Sequence, residues 1–201
     1  MSNLRSKKDD IEYFLDNDLY LPTRTVYIGP VDTENHEVNA IMAERAIKNL
    51  HILDSISDNP ITIIMLNYGG EVTAGMAIYD AIRLCRSYVT IKVFGCANSM
   101  GSIILQAADN RILAPNSEVM IHLGVTGYAE DHPLNIDNQH KRAREFDDWM
   151  INLYHSRIKE KKPRFKKSQV LELVKFDQFF TPDRAIEFGL ADSIMESHKD
   201  D

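Results

Sequence analysis

Three side chains able to share one reaction lie far apart in the sequence: Ser99, His122 and Asp177. Ser99 opens Ser99-Met100-Gly101, where a run of small residues is expected to leave a strand and enter a helix. At a helix N-terminus the first N–H groups lack intrahelical partners and the dipole is positive, so negative charge growing on a reacting oxygen is stabilised. Serine is also a favoured N-cap, and on spacing alone that role stands beside the nucleophilic one. His122 ends the apolar run Val119-Met120-Ile121 and reads either as a general base or as a histidine satisfied within the core. Asp177 stands between Phe176 and Phe179, and a carboxylate in an apolar pocket needs a partner to stay ionised. A histidine Nδ1–H would serve, and so would a backbone N–H. Gly69-Gly70 follows an apolar run and precedes a helical pattern. Such a pair makes a tight turn, or brings a backbone N–H up to a ligand. The Gly70 and Met100 N–H groups together would form an oxyanion hole. Taken jointly, the nucleophile, base, acid and paired glycines are a complete hydrolytic set.

The elements that must position this set follow from hydrophobic period and punctuation. Residues 25–28 are short and β-branched, a strand. Residues 32–57 carry Val38, Ile41, Met42, Ala46, Ile47, Leu50 and Leu53 at helical spacing. Residues 61–66 form a continuous apolar run that ends in Asn67-Tyr68-Gly69-Gly70, a strand covered on both faces and stopped by a turn. Residues 73–84 are helical. The unit then repeats, with a strand over 88–94, a turn over 95–98 and an apolar helix over 99–108. Short strands are expected at 111–113 and 119–122, a long charged helix at 136–158 and a basic loop at 159–167. Ser168 is expected to cap a helix ending at Val174, residues 177–181 to be extended, and Thr181-Pro182 to start a last helix that Gly189 stops. Strand–helix alternation of this kind builds a mostly parallel sheet covered by helices, an α/β fold. Residues 1–22, polar with Tyr13, Phe14, Leu19 and Leu21 interspersed, read as an arm on a single domain spanning 1–201.

The 201 residues suffice for one core-forming domain, and 44% hydrophobic with 26% charged residues is ordinary for a globular chain. A net charge of -7 argues against nucleic acid or an anionic membrane as the main partner. Cys85 and Cys96 form no CxxC pair, no metal-ligand spacing occurs, and no cofactor motif is present. The N-terminus turns acidic where a secretory signal needs an apolar run, and no apolar stretch reaches bilayer length. A cytoplasmic location is expected.

At the same residues the chain resembles the Clp protease proteolytic-subunit (ClpP) family of serine peptidases. The stretch from Asn67 to Asp80 resembles that family's glycine turn and following helix, and the stretch from Gly95 to Ser102 its nucleophile motif. The stretch from Pro115 to His122 resembles its histidine motif. Asp177, with Phe179-Phe180-Thr181-Pro182 and Gly189-Leu190-Ala191-Asp192, resembles its aspartate region. The resemblance implies a crotonase-like superhelix of β-β-α units with a protruding strand–helix handle, here near 123–160. It implies Ser99, His122 and Asp177 as the catalytic triad. Substrate peptide would lie along a strand that includes Leu123, Gly124 and Val125, beside Gly69. It also implies homo-oligomeric heptameric rings, usually paired face to face, and unfolded polypeptide substrates delivered by an ATP-driven AAA+ unfoldase.

The chain departs from the family in places. Tyr68 stands where proline is usual, and Asn98 where a small residue is usual. Lys175 and Phe176 replace an acidic residue and an arginine that pair across rings. Thr62 and Ile64 replace tyrosines that line the unfoldase-docking cleft. Two other readings compete with an active peptidase: a triad-bearing structural subunit of a mixed ring, and a crotonase-fold acyl-CoA enzyme, whose chemistry needs no serine nucleophile.

Overall fold

The computed structural model describes residues 7–30, 36–124 and 132–196. Along the chain lie α1 (Lys7–Asn17), β1 (Leu19–Tyr20), a 3-10 turn (Leu21–Thr23), β2 (Thr25–Ile28), α2 (Ala40–Ile56), β3 (Ile61–Asn67) and α3 (Val72–Arg83). There follow β4 (Val89–Asn98), α4 (Met100–Leu105), β5 (Asn110–Leu113), β6 (Glu118–Ile121), α5 (Pro133–Lys161), α6 (Lys167–Val174), β7 (Gln178–Phe180), α7 (Pro182–Glu187) and β8 (Ser193–Ile194). The strands form one eight-stranded sheet among the described residues. Its β2–β3, β3–β4, β4–β5, β4–β6 and β5–β8 pairings are parallel, and β1–β2 and β6–β7 are antiparallel. The α/β architecture is therefore as expected.

The central strands show why. On β3, Ile61, Ile63 and Met65 are fully buried, and on β4 Val89, Ile91 and Val93 are. Each such side chain contributes roughly 1.5–3 kcal/mol by leaving water. α2 and α3 close over this face through Met42, Ala46, Leu50, Leu53, Ile78 and Ile82.

β4 holds the first departure from the sequence reading. Residues 95–98 are not a turn: β4 runs on to Asn98, pairing with β5 through Val93 and with β6 from Cys96 onward. The register against β3 shifts between Met65 and Asn67, whose partners are Val93 and Ala97. The extra residues, Phe94 and Gly95, are exposed, and Gly95 takes φ 70°. A bulge that re-aims a strand carries the same small-residue signature as a turn.

Other differences are local. α2 begins at Ala40, because Asn39 Oδ1 accepts the Met42 N–H at 3.0 Å, and Val38 lies outside it, bridged to Gly70. α4 stops at Leu105. Ser168 lies inside α6; the start is held instead by Gln169, whose Oε1 accepts the Lys166 N–H at 2.8 Å. Leu19, read as part of an arm, is 1% exposed and belongs to the core, while Ile11 and Leu15 on α1 are exposed. In α5 the first half is largely exposed, and Met150, Ile151, Tyr154 and Ile158 of the second half enter the core.

All six residues of α4 are buried, so the end of this short helix must be satisfied internally. Arg157 Nη2 donates to the Gln106 carbonyl at 2.7 Å. Gln106 Oε1 accepts from Arg111 Nη1 at 2.6 Å, and Arg111 is held by Asp192 at 2.7–2.9 Å. Burial would raise the Asp192 pKa, but the bonds and charge of Arg111 outweigh it, and the carboxyl sits below its usual range. A depressed folded-state pKa supplies stability above the unfolded value, near 3.9, that is lost as pH falls through the folded one. Asp192→Asn should therefore cost about 2 kcal/mol at pH 7, with the deficit shrinking as pH falls below about 4. Thermal melts from pH 7 to 3 check this, and a deficit constant with pH would contradict it.

Candidate active site

The sheet register brings two of the three chemical side chains together. In the antiparallel β6–β7 pair Ile121 faces Gln178, so the next residue on β6, His122, meets the preceding one on β7, Asp177. His122 Nδ1 lies 2.8 Å from Asp177 Oδ1. The third arrives through the parallel β4–β6 pair, where Asn98 lies opposite Met120. Ser99 follows, its N–H donates to the Met120 carbonyl at 2.9 Å, and its Oγ lies 2.8 Å from His122 Nε2. An ionised carboxylate only accepts, so Nδ1 carries the ring proton and the Ser99 hydroxyl donates to Nε2.

Ser99 occupies the N-cap position of α4, yet its side chain makes no capping hydrogen bond. Its φ is 51° and ψ −120°, the sharp strand-to-helix turn that lifts a serine hydroxyl clear of the backbone. The hydroxyl faces His122 instead of closing its own helix. His122 is no core histidine, since its side chain is 21% exposed.

The glycine turn backs directly onto this corner. Gly69 has φ 96°, and a Cβ there would fall 2.6 Å from Ser99 Cβ and 3.2 Å from Met100 N. No side chain fits, and the backbone conformation favours glycine as well. Gly69 N–H donates to Asn67 Oδ1 at 2.9 Å, and its carbonyl accepts the Val38 N–H at 2.7 Å. Both backbone groups of Gly69 are thus engaged. The Gly70 and Met100 N–H groups take no part in those bonds. Gly70 has φ 142° and lies against Val38, where a Cβ would meet Val38 N at 2.5 Å.

One expectation fails. Asp177 is not in an apolar pocket: its side chain is 59% exposed, Phe176 is 81% exposed and Phe179 47%. The two phenylalanines point away from the body of this chain, and water reaches the carboxylate. Of the substrate-strand residues, Leu123 is half-buried and donates its N–H to the Val174 carbonyl at 2.7 Å. Gly124 is exposed with open space around it, and Val125 lies outside the described residues. Among the other histidines, His36, His51, His132 and His140 are exposed. His155 is half-buried, with Nε2 3.0 Å from the Phe165 carbonyl, and His198 lies outside the described residues.

Neither cysteine competes as nucleophile. Burial pushes the Cys85 thiol up to about 11, and burial with the nearby Glu118 charge raises that of Cys96. No cluster of metal-binding side chains occurs among the described residues. Two clefts of about 460 and 450 Å3 lie around Lys162–Phe165 and between α2 and α3, and neither is lined by Ser99. Among the described residues of the site, Ser99 and His122 are half-buried and Gly124 is exposed.

Sequence reasoning missed Asn67, Ser102 and Tyr154. Asn67 is fully buried beneath the glycine turn, and Gly101 is glycine because a Cβ would meet Asn67 Oδ1 at 2.7 Å. Ser102 and Tyr154 meet behind Ser99. An asparagine that ends an apolar run, one residue before Gly69-Gly70, was a legible signal; the Ser102–Tyr154 contact, 52 residues apart, left none.

The chain is similar to known proteins over most of its length. The sequence is 31% identical over 184 residues to the ATP-dependent Clp protease proteolytic subunit of Deinococcus radiodurans, covering 90% of this chain and 84% of that one. It is 30% identical over 213 residues to the chloroplastic ATP-dependent Clp protease proteolytic subunit 3 of Arabidopsis thaliana, covering 98% of this chain and 66% of that one. The chloroplastic subunit 6 of the same plant is 31% identical over 180 residues, with 87% and 61% covered. Residues 24–198 match the Clp protease family, and the chain belongs to that family.

Proposed function

We propose that this chain is a serine endopeptidase in which Ser99 is the nucleophile, His122 the general base and Asp177 the group that orients the histidine. The carrying observation is the continuous line from Asp177 Oδ1 through His122 to Ser99 Oγ, with both contacts at 2.8 Å. Ser99 Oγ attacks the scissile carbonyl carbon and its proton passes to His122 Nε2. The oxygen that becomes negative is received by the Gly70 and Met100 N–H groups. His122 then protonates the leaving amine, and a water deprotonated by the same nitrogen releases the acyl group.

The substrate reading is unfolded polypeptide, lying along Leu123, Gly124 and Val125 beside Gly69. An open site with backbone groups at its floor suits main-chain recognition, which does not depend on sequence. Apolar side chains left exposed, including Ile41, Ile52 and Ile56 on α2 with Val72 and Leu84 on α3 and its end, support burial against further copies in heptameric rings. The curated relatives are named ATP-dependent, and a separate AAA+ unfoldase is the proposed source of that dependence. Ile64, at one of the positions where the family carries docking tyrosines, lines an open cleft of about 340 Å3 with Ile11, Phe14, Tyr20, Thr23 and Thr25. Both cysteines are free, as a reducing cytoplasm would leave them. No described helix is long and apolar enough to cross a membrane. The plant relatives carry subunit numbers, so a subunit of a mixed ring is the second reading. An acyl-CoA enzyme is disfavoured, because that chemistry has no use for a serine hydroxyl held by an imidazole.

Ser99→Ala should lower hydrolysis of a fluorogenic peptide by on the order of 10⁴–10⁶ while leaving the melting temperature nearly unchanged. Retention of a comparable rate would sink the assignment; wild-type inactivity alone, reversed by adding a paralogue, would favour the mixed ring. Gly69→Ala forces a Cβ into Ser99 and should lower kcat by about 10²-fold or more, which steady-state kinetics checks against an unchanged circular dichroism spectrum.

A further expectation concerns ring pairing. Lys175 is held within this chain by Glu172 at 2.7 Å, while Phe176 is 81% exposed beside Asp177. If Phe176 packs against the opposing ring, pairing rests on apolar burial and should resist salt. Phe176→Ala should then halve the particle mass and reduce the peptidase rate. Sedimentation and kinetics across a salt series decide it, and unchanged mass and rate would make Phe176 a local packing residue.

A further inference from the structure

Tyr154 heads the large side chains that are fully buried, and it sits on the packed half of α5, the helix whose other half is exposed. A phenol placed there must find a partner or lose the hydration of its hydroxyl. Its partner is Ser102 Oγ, 2.6 Å away. Ser102 Oγ in turn lies 2.6 Å from the carbonyl oxygen of Ser99. A carbonyl oxygen only accepts, so the Ser102 proton points at Ser99, and the Tyr154 hydroxyl must donate to Ser102 Oγ. Donation therefore runs one way, from α5 through α4 to the backbone of Ser99. Burial holds the Tyr154 pKa well above the usual phenol value, so the donor keeps its proton throughout the working range.

The receiving carbonyl matters because of what it is joined to. The Ser99 C=O and the Met100 N–H belong to one planar peptide group and point in opposite directions. Whatever fixes the direction of that carbonyl also aims the Met100 N–H. The same oxygen accepts the Ser102 N–H at 2.9 Å and the Ile103 N–H at 3.4 Å, so the hydroxyl is the shortest of its three bonds. Ser99 is also the residue at φ 51°, where L side chains are disfavoured and the surroundings must impose the conformation.

We infer that Tyr154 and Ser102 are positioning residues which orient the Ser99–Met100 peptide, aiming the Met100 N–H at the developing oxyanion and making that aim depend on the seating of α5. The inference rests on the reading of Ser99 as nucleophile and of Met100 N–H as an oxyanion donor. It predicts an effect on the transition state with little effect on ground-state binding.

The experiment uses the full-length assembled protein. Competent sites are first counted by titration with a fluorophosphonate, with the adduct mapped by mass spectrometry. Tyr154→Phe removes one hydroxyl and keeps the ring; Ser102→Ala removes the relay itself. Each should lower kcat per titrated site by about tenfold with KM within about twofold of wild type. Affinity for a peptide boronic acid, which becomes tetrahedral on Ser99, should fall by a similar factor. Since both act along one path, the double variant should be no worse than Ser102→Ala by more than about twofold. A merely structural role would lower the melting temperature and the titrated fraction, leaving kcat per site and boronate affinity unchanged, and that result overturns the inference. Multiplying effects in the double variant would overturn the single path. Absence of a wild-type adduct on Ser99 would instead remove the nucleophile reading, a failure distinct from normal labelling with unaffected variants.

Discussion

At Ser99 the chain turns from the end of β4 into α4 with φ 51° and ψ −120°, a conformation that costs an L-residue roughly 1–3 kcal/mol and persists only where the surroundings impose it. Much of the structure reads as the means of imposing it. The Ser99 N–H is tied to β6, its carbonyl receives three donors from α4, and Gly69 closes the space behind its Cβ. What the strain leaves outside is the hydroxyl, free of any capping bond and aimed at His122. A relaxed serine at the same place would have capped its helix, and the basic nitrogen would face an occupied oxygen.

The sheet supplies the rest through register. β4 is the strand shared by both arms of the sheet: up to Val93 it pairs with β5, and beyond the Phe94–Gly95 bulge it pairs with β6. That exchange places β6 beside Ser99, and the antiparallel β7 then sets Asp177 opposite His122. The two contacts thus follow from strand pairing. The one open member is Asp177, flanked by two exposed phenylalanines. An orienting carboxylate that water reaches holds its histidine less firmly than a covered one. A neighbouring copy covering Phe176 would tighten the Asp177–His122 bond, linking assembly to activity by a local electrostatic route.

Most of the strands and helices were legible because their apolar residues repeat with clear periods, as on β3 and α3, and Ser99, His122 and Asp177 could be singled out because they sit at element ends. The misreadings share a physical cause. Small residues at 95–98 signal a turn, a bulge or a close approach alike, and only the pairing of β4 with two different partners distinguishes them. Ser168 looked like a cap until the Gln169 side chain reached back to do that work. Asp177 was expected to be enclosed because phenylalanines flank it, but flanking in sequence does not decide which way a side chain faces at the edge of a domain. Tyr154 went unremarked because its partner, the Ser102 hydroxyl, lies 52 residues away, and such a contact leaves no periodic trace.

Catalysis by this chain would begin at the oxygen of Ser99. A crystal structure of the assembled protein with a peptide boronic acid tests it most directly. The prediction is a covalent bond from Ser99 Oγ to boron, with one boronate oxygen accepting from the Gly70 and Met100 N–H groups and His122 still bonded to Asp177. An inhibitor bound elsewhere, or held at the site with Ser99 Oγ unbonded, would contradict the role of Ser99 as nucleophile.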